Sequence, residues 1–193
     1  MVARERNKRK RAWHWRRLKK IVQSRLRFLD EAGATTVLTK LYARALGGRR
    51  TTEAVPRNYG QSTSMIATLG LNGVEAPMLI EGSVDTLVFN AYCEQVLQPT
   101  LKRGDVIVLD NLGAHRASRI EEIAAGCGAR VLWLPPYSPD FSPIELMWSK
   151  VKAYLKKVKA RSQTELEKAI AQGLQTITLS DCRNWFRHCG YEV

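Results

Sequence analysis

The sequence has little of what marks a membrane or secreted protein. Its 193 residues contain no apolar run long enough to span a bilayer, and the N-terminus lacks the hydrophobic region of a signal peptide. The four cysteines have no CxxC spacing, which favours reduced structural thiols over a zinc site. We therefore expect a cytoplasmic protein whose length suits one main hydrophobic core.

Acidic residues are also scarce, with 18 Asp and Glu against 31 Lys and Arg and a net charge of +13. Residues 1–27 hold twelve basic residues and one acid, a net +11, whereas residues 28–193 hold 19 basic and 17 acidic residues. The excess charge therefore lies in a basic N-terminal tail, residues 1–24. Such asymmetry predicts a polyanionic partner, either nucleic acid or an acidic membrane surface.

Two tryptophans, Trp13 and Trp15, are interleaved with the basic residues of the tail. In a nucleic-acid-binding segment, the cations would follow phosphates while the indoles stack or insert. The alternative is a solvated, partly helical segment whose tryptophans dock on the rest of the protein. The sequence favours neither interpretation.

The apolar run Val106–Leu109 ends directly in Asp110. A continuous run of β-branched and leucine residues predicts a central parallel strand that is buried on both faces. In open α/β sheets, ligands bind at the carboxyl ends of such strands, which is where Asp110 would lie. The alternative for an isolated Asp at this position is a cap in a strand-to-helix turn.

The order of elements around this strand predicts the fold class. Strands are predicted at 26–31, 35–42, 64–71, 76–80, 106–109 and 130–134, with a long basic loop at 43–61. Helical periodicity is predicted at 85–97, 118–125, 144–157 and 164–174. With right-handed crossovers, an antiparallel meander of three or four strands followed by alternating helices and strands predicts an α/β protein. We expect the RNase H-like fold, a mixed five-stranded sheet with helices on both faces.

The helix expected after the proline-rich loop 135–143 carries a second stripe beside its apolar face. That stripe consists of four residues, Glu145, Ser149, Lys152 and Lys156. Lysines at these positions suit a phosphate backbone running past the carboxylate. The alternative for Glu145 is a capping box, because Ser142-Pro-Ile-Glu145 has that pattern with proline at the first helical position.

Three acids are therefore expected at element ends: Asp30 at the end of the first strand, Asp110 at the end of the buried strand, and Glu145 at the start of the helix 144–157. If they converge, their oxygens suit a hard divalent cation such as Mg²⁺. Two such ions, about 3.5–4 Å apart, support in-line phosphoryl displacement without a nucleophilic side chain. Asp140 is a reserve ligand, and Glu31 is expected on the sheet face opposite Asp30.

Three segments of the sequence surround these acids. They are Phe28-Leu-Asp30-Glu-Ala-Gly, Leu109-Asp110-Asn-Leu-Gly-Ala-His115 and Leu134-Pro-Pro-Tyr-Ser-Pro-Asp-Phe-Ser-Pro-Ile-Glu145. Together they resemble the DDE transposases of the Tc/mariner superfamily, and specifically its bacterial insertion-sequence branch. The 34 residues between Asp110 and Glu145 match the DDE spacing of that superfamily. The resemblance extends from about residue 25 to Tyr191.

The resemblance implies an RNase H-like DDE catalytic domain over residues 25–193, including C-terminal helices within 164–193. It implies an enzyme that cuts transposon ends and joins the freed 3′-hydroxyl to target DNA, using two Mg²⁺ or Mn²⁺ ions. By motif position, Asp30, Asp110 and Glu145 would be both the catalytic residues and the metal ligands.

The implied partner is DNA, comprising transposon ends and target, with the protein acting as a dimer on DNA and without a membrane. Asn111 and His115 match recurrent positions beside the second acid. The expected DNA contacts are mainly cations of the tail, the basic loop and the helix 144–157: Arg9, Arg11, Arg16, Arg17, Arg49, Arg50, His115, Lys152 and Lys156. A bacterial, nucleoid-associated location follows from the same resemblance.

Two features of the sequence depart from the family pattern. Ser142 stands where relatives usually have Asn, a change that retains the capping chemistry. The sequence also shows no helix-turn-helix module before the first strand, so we expect a catalytic half that works with an upstream helix-turn-helix chain, or a truncated remnant. Two alternative functions follow: a catalytically silent DNA-binding remnant acting through the tail, and an RNase H-like nuclease without transposition.

Overall fold

The computed structural model describes residues 7–57, 62–116 and 119–193. Five strands form one sheet: β1 (Leu26–Ala34), β2 (Thr63–Gly70), β3 (Gly73–Glu81), β4 (Val106–Leu109) and β5 (Arg130–Trp133). The spatial order is β3-β2-β1-β4-β5. Strands β1, β2 and β3 pair antiparallel, whereas β1 with β4 and β4 with β5 pair parallel. The predicted mixed five-stranded α/β sheet is confirmed.

Seven α-helices are assigned within the described residues. They are α1 (Lys8–Leu18), α2 (Thr86–Tyr92), α3 (Gly113–Arg116), α4 (Ile120–Gly126), α5 (Pro143–Val158), α6 (Gln163–Gln175) and α7 (Leu179–His188). Helix α2 continues into a π-helical turn, Cys93–Leu97, and short 3₁₀ turns include Pro139–Phe141. Among the described segments, no helix is long and apolar enough to cross a membrane.

Strand β4 is the most completely buried strand, with all four of its residues at 1% exposure or less. It lies between β1 and β5 and pairs in parallel with both. Burial on both faces explains why its sequence is continuously apolar rather than alternating. The predicted central strand, which carries Asp110 at its C-terminal end, is confirmed.

Helices cover both faces of the sheet, as predicted. Alternate β1 residues point to opposite sides, so Phe28 belongs to one core and Leu29 to the other. The first core, here called the α5 face, is formed with α5, α6, α7 and the end of α1; Phe28 meets Phe186 edge-on at 5.4 Å. The second core, here called the α2 face, is formed with α2, its π-helical turn and α4.

The predicted strand at 35–42 is wrong. Strand β1 runs on to Ala34, and the residues after it form turns and irregular backbone as far as residue 57, apart from a short 3₁₀ turn. Both edges of β1 are already paired, one with β2 and the other with β4, so this segment cannot pair with the strand that it follows. The predicted loop at 43–61 is irregular over its described part, and residues 58–61 lie outside the described residues.

The basic segment includes a helix that packs on the rest of the fold. Helix α1 begins after Asn7, whose side chain accepts a hydrogen bond from the Lys10 amide. Leu18 is fully buried in the α5 face, and the Trp15 ring lies 5.3 Å from that of Phe141. Trp13 is 57% exposed, so the docked alternative describes one of the two tryptophans.

Candidate active site

A cavity of about 420 Å³ opens at the C-terminal end of β4. Its wall includes the loop between β5 and α5, from Leu134 to Pro139. The three acids expected from the sequence, Asp30, Asp110 and Glu145, all line this cavity. They come from a strand interior, a strand end and a helix N-terminus, so the fold brings together residues that are far apart in the chain.

Asp30 lies within β1 rather than at its end, because pairing with β2 continues through Ala34. Burial raises the pKa of Asp30 to about 7; a backbone hydrogen bond from Glu31 opposes this shift, and the charges of Glu145 and Asp110 add to it. An acid that is desolvated beside other acids favours its neutral form unless a cation is nearby. A positive charge in the cavity would therefore stabilise the ionised form of Asp30.

Asp110 follows β4 and accepts two hydrogen bonds, both on Oδ1. The Leu112 amide donates to it at 3.2 Å, and His115 Nδ1 lies at 2.7 Å. The capping alternative is therefore correct in part, since the carboxylate does organise the turn. Within the described residues, Oδ2 of Asp110 accepts no hydrogen bond, which leaves that oxygen available to the cavity.

The predicted capping box at the start of α5 is not formed. The Ser142 side chain makes no capping hydrogen bond to the described residues, and the Glu145 amide donates to the Ser142 carbonyl at 3.2 Å instead. The Ser142 amide, which Glu145 would bond in a capping box, already donates to the Pro139 carbonyl at 2.9 Å. The exposed Glu145 side chain is therefore free of that task and lines the cavity.

A fourth acid joins this group through a buried histidine. His115 is 1% exposed; its Nε2 lies 3.0 Å from Glu31 Oε2, and its ring centroid is 4.4 Å from that of Phe89. Burial lowers the pKa of His115, but its hydrogen bonds to Asp110 and Glu31 outweigh burial and raise the pKa to about 9. With a carboxylate at each nitrogen, the ring acts as a doubly donating imidazolium.

This arrangement bears on two expectations from the sequence. The His115 ring is buried between two carboxylates, so this structure does not present it to a polynucleotide, and the expected DNA contact at this residue stays a prediction. Glu31 does point away from Asp30, as predicted, but its contact with His115 spans 84 residues and could not be predicted from a local pattern. The acid pair Asp30-Glu31 was the sole available signal.

Arg11, one of the expected DNA contacts, is engaged within the protein. Its guanidinium donates to both carboxylate oxygens of Asp140, at 3.1 and 2.6 Å, and lies 3.9 Å from the ring centre of Phe141. The pair joins α1 to the 3₁₀ turn before α5. Asp140, the reserve ligand, therefore lies outside the group of acids that lines the cavity.

The other expected DNA contacts lie on three separate elements. Arg9, Arg16 and Arg17 are exposed on α1, and the Arg17 guanidinium lies 4.5 Å from the Trp13 ring centre. The remaining four are exposed or half-buried, two in the loop after β1 and two on α5: Arg49, Arg50, Lys152 and Lys156.

The donor set of the cavity suits a hard cation in its chemistry. Three carboxylates share the wall, the pKa of half-buried Asp30 is raised, and one oxygen of Asp110 accepts no hydrogen bond from the described residues. In the described segments, however, no three His, Cys, Asp or Glu side chains are close enough together to hold an ion. The fold brings the acids to one cavity, and their side chains are not gathered around a common point.

The sheet order and the acids at its C-terminal edge define an RNase H-like α/β domain. The chain belongs to the DDE superfamily endonuclease family, whose model matches residues 25–167. Among curated proteins, none matches this sequence.

Solved structures of Mos1 transposase share the fold. The Mos1 transposase paired-end complex with left transposon end aligns with a TM-score of 0.76 at 18% identity, over 98% of this chain and 61% of that chain. The catalytic domain of Mos1 mariner transposase aligns with a TM-score of 0.66 at 15% identity, over 98% and 91%. The same catalytic domain with Raltegravir and Mg gives 0.67 at 16% identity, over 96% and 94%. This chain thus spans about three fifths of the longer Mos1 chain.

Proposed function

We propose that this chain is the catalytic domain of a DDE transposase from a bacterial insertion sequence. It would cleave DNA at the ends of the element and join the freed 3′-hydroxyl to target DNA. The observation that carries the proposal is the convergence of Asp30, Asp110 and Glu145 on one cavity at the C-terminal edge of β4. Membership of the DDE superfamily endonuclease family supports it.

The three acids differ in ways that suit different tasks. Asp110 offers Oδ2 while Oδ1 is held by the turn, Asp30 supplies a half-buried carboxylate, and Glu145 supplies an exposed one. When bound there, two Mg²⁺ or Mn²⁺ ions would supply Lewis-acid activation of the attacking oxygen and stabilisation of the leaving oxygen. Structures of Mos1 complexes with Mg and with Mn support this choice of cations.

DNA would approach the cavity along cations at the protein surface, since Lys and Arg contacts to phosphates dominate affinity for DNA. Lys152 and Lys156 follow Glu145 along α5, and Arg16 and Arg17 lie on the docked α1. Exposed Trp13 adds a surface on which a base can stack. A dimer on DNA and an upstream helix-turn-helix chain remain part of the proposal as partners.

A second candidate function is DNA binding without catalysis. Its support is the lack, among the described residues, of a group of acids close enough to hold an ion, together with the exposed cations of α1. The two candidates share the DNA surface and differ in what the cavity does.

Nicking and strand joining of supercoiled plasmid DNA in Mn²⁺ or Mg²⁺ would test the first candidate. We expect metal-dependent nicking that falls at least about a hundredfold in Asp110→Asn and in Glu145→Gln, because each substitution removes a ligand charge at the reacting phosphate. Glu81→Gln is a matched control, since Glu81 is an exposed acid outside the cavity. Equal nicking by wild type and both variants would refute the catalytic assignment, whereas inert proteins that still bind DNA would favour the second candidate.

A further inference from the structure

His115 lies where the two faces of the sheet meet beyond the end of β4. Strands β1 and β4 are parallel neighbours whose last pair is Phe28 opposite Val108, and Asp30 and Asp110 each follow that pair by two residues. Asp30 shares the face of Phe28, so Glu31 lies on the opposite, α2 face. His115 packs there against Phe89 and reaches both Glu31 and Asp110.

Of Glu31 and Asp110, it is Asp110 whose carboxylate orientation depends on a contact from another side chain. Its side chain is 42% exposed, and its other hydrogen bond, from the Leu112 amide, is a long one of 3.2 Å. A carboxylate held in that way alone can rotate, which would exchange its two oxygens at the cavity. The 2.7 Å contact with His115 fixes Oδ1 and thereby determines where Oδ2 points.

The other side of the imidazole is fixed in turn by Glu31, whose side chain is 24% exposed and 3.0 Å from Nε2. A histidine bonded at both nitrogens has a determined ring orientation, and burial against Phe89 removes the remaining freedom. Residues that orient a ligating carboxylate in this way typically change metal affinity when mutated, although they do not touch the metal.

We propose that His115 is a positioning residue that orients the Asp110 carboxylate toward the cavity, with Glu31 as its anchor. Strand β1 then contributes twice: Asp30 lines the cavity directly, and Glu31 acts through the imidazole on Asp110. This inference rests on the proposed function, because it assigns a task to Asp110 in binding a divalent cation.

A purely structural tie between β1 and α3 would use the same contacts, so the experiment must separate the two roles. Mn²⁺ binding to the full chain, without DNA, can be followed through the electron paramagnetic resonance signal of free Mn²⁺. The variants are His115→Gln, Glu31→Gln and Asp110→Asn, together with the double variant His115→Gln/Asp110→Asn. Exposed His188 provides the matched control His188→Asn.

If His115 acts through Asp110, His115→Gln weakens Mn²⁺ binding by about tenfold or more. Glu31→Gln, which keeps an acceptor at the anchor, gives a smaller loss, and His188→Asn gives none. The decisive comparison is the double variant: His115→Gln should cause no further loss once Asp110 is already Asn, since the group that it orients is gone. In nicking assays the same substitution should raise the Mn²⁺ concentration for half-maximal rate more than it lowers the maximal rate.

Wild-type affinity in His115→Gln, or an equal loss with and without Asp110, would overturn the positioning role. These outcomes differ from failure of the proposed function itself. Mn²⁺ binding that is insensitive to Asp110→Asn, or no Mn²⁺ binding by wild type at millimolar concentration, would overturn the metal site and the positioning role with it.

Discussion

The two buried histidines of the described chain, His14 and His115, have the same exposure of 1% and opposite electrostatic surroundings. His115 lies between two carboxylates, which raise its pKa to about 9. His14 lies on the cationic helix α1, and neither of its ring nitrogens has a hydrogen-bond partner among the described residues. Burial, with smaller contributions from the charges of Arg17 and Arg11, lowers its pKa to about 4.

The difference shows that burial alone does not determine the charge of an imidazole. Near neutral pH one ring is a cation that holds acids together, and the other is a neutral aromatic that stacks on Phe141 with ring centroids 5.9 Å apart. The protonation state of each ring suits its role, because His115 makes charged hydrogen bonds beside the cavity and His14 packs between α1 and the rest of the fold. Replacing the histidine with an uncharged aromatic residue should therefore destabilise the protein at position 115 and be tolerated at position 14.

The largest effect is expected from His115→Phe. The change removes two charge-assisted hydrogen bonds and leaves two carboxylates facing an apolar ring, which should lower the free energy of unfolding by about 2 kcal/mol at pH 7 without metal. Since the folded pKa of about 9 lies above the unfolded value of 6.5, this stabilisation is complete below pH 6.5 and is lost as the pH rises through 9. Urea unfolding at pH 6, 7.5 and 9.5 measures it. A deficit that is equal at all three values would contradict the assigned charge.

His14→Phe should have the opposite pH dependence and a somewhat smaller effect. The folded pKa of His14, about 4, lies below the unfolded value of 6.5, so wild type loses stability as the pH falls between these values. The variant keeps the aromatic stack without titrating, and should gain roughly 1–2 kcal/mol over wild type between pH 7 and pH 4.5. Urea unfolding curves of the two proteins provide the measurement.

The quantity to compare is the difference in unfolding free energy between His14→Phe and wild type, because Asp30 titrates in the same pH range as His14. Because its pKa is raised to about 7, Asp30 binds a proton more tightly in the folded state than in the unfolded state. Its contribution to the free energy of unfolding therefore falls as the pH rises from 3.8 to 7. Both proteins carry Asp30, and its contribution cancels in the difference. A constant difference between His14→Phe and wild type across pH 4.5–7 would mean that the His14 ring is not held neutral.

The smallest effect is expected from Arg17→Gln. Arg17 lies one helical turn after His14, and its charge disfavours protonation of the ring. Removing that charge should raise the pKa of His14 by less than about one unit and leave that of His115 unchanged. The protein has three histidines, so NMR titration can follow each ring separately. A shift at His115 of similar size would indicate a general change in structure.

The parts of the fold that were predictable are those that depend on nearby residues. The run Val106–Leu109 has the composition that burial on both faces requires, and the periodicity of 144–157 matches α5. The strand predicted at 35–42 failed because pairing depends on free edges, and β1 had none left to offer. Local propensity for β structure cannot report that both neighbours are already in place.

In the candidate site, too, the features that could be predicted are those that depend on nearby residues. The three acids could be proposed from their positions beside predicted elements, and the cavity brings them together. The pattern at Ser142–Glu145 was compatible with both a capping and a catalytic role for Glu145. The capping role was lost because the Ser142 amide donates to the Pro139 carbonyl in the preceding turn. The contact of Glu31 with His115 spans 84 residues, and no local pattern encodes it.

The contacts of His115 with Glu31 and Asp110 have a consequence for anyone who redesigns this domain. A sheet normally separates its two cores, so that each can be repacked without regard to the other. Here Phe89, a residue of the α2 face, packs on a ring that also bonds the cavity acid Asp110. Replacing Phe89 with a residue of another volume would thus change the packing of the core and also the activity of the enzyme. Libraries of variants that are designed to stabilise the α2 face should therefore keep Phe89 unchanged.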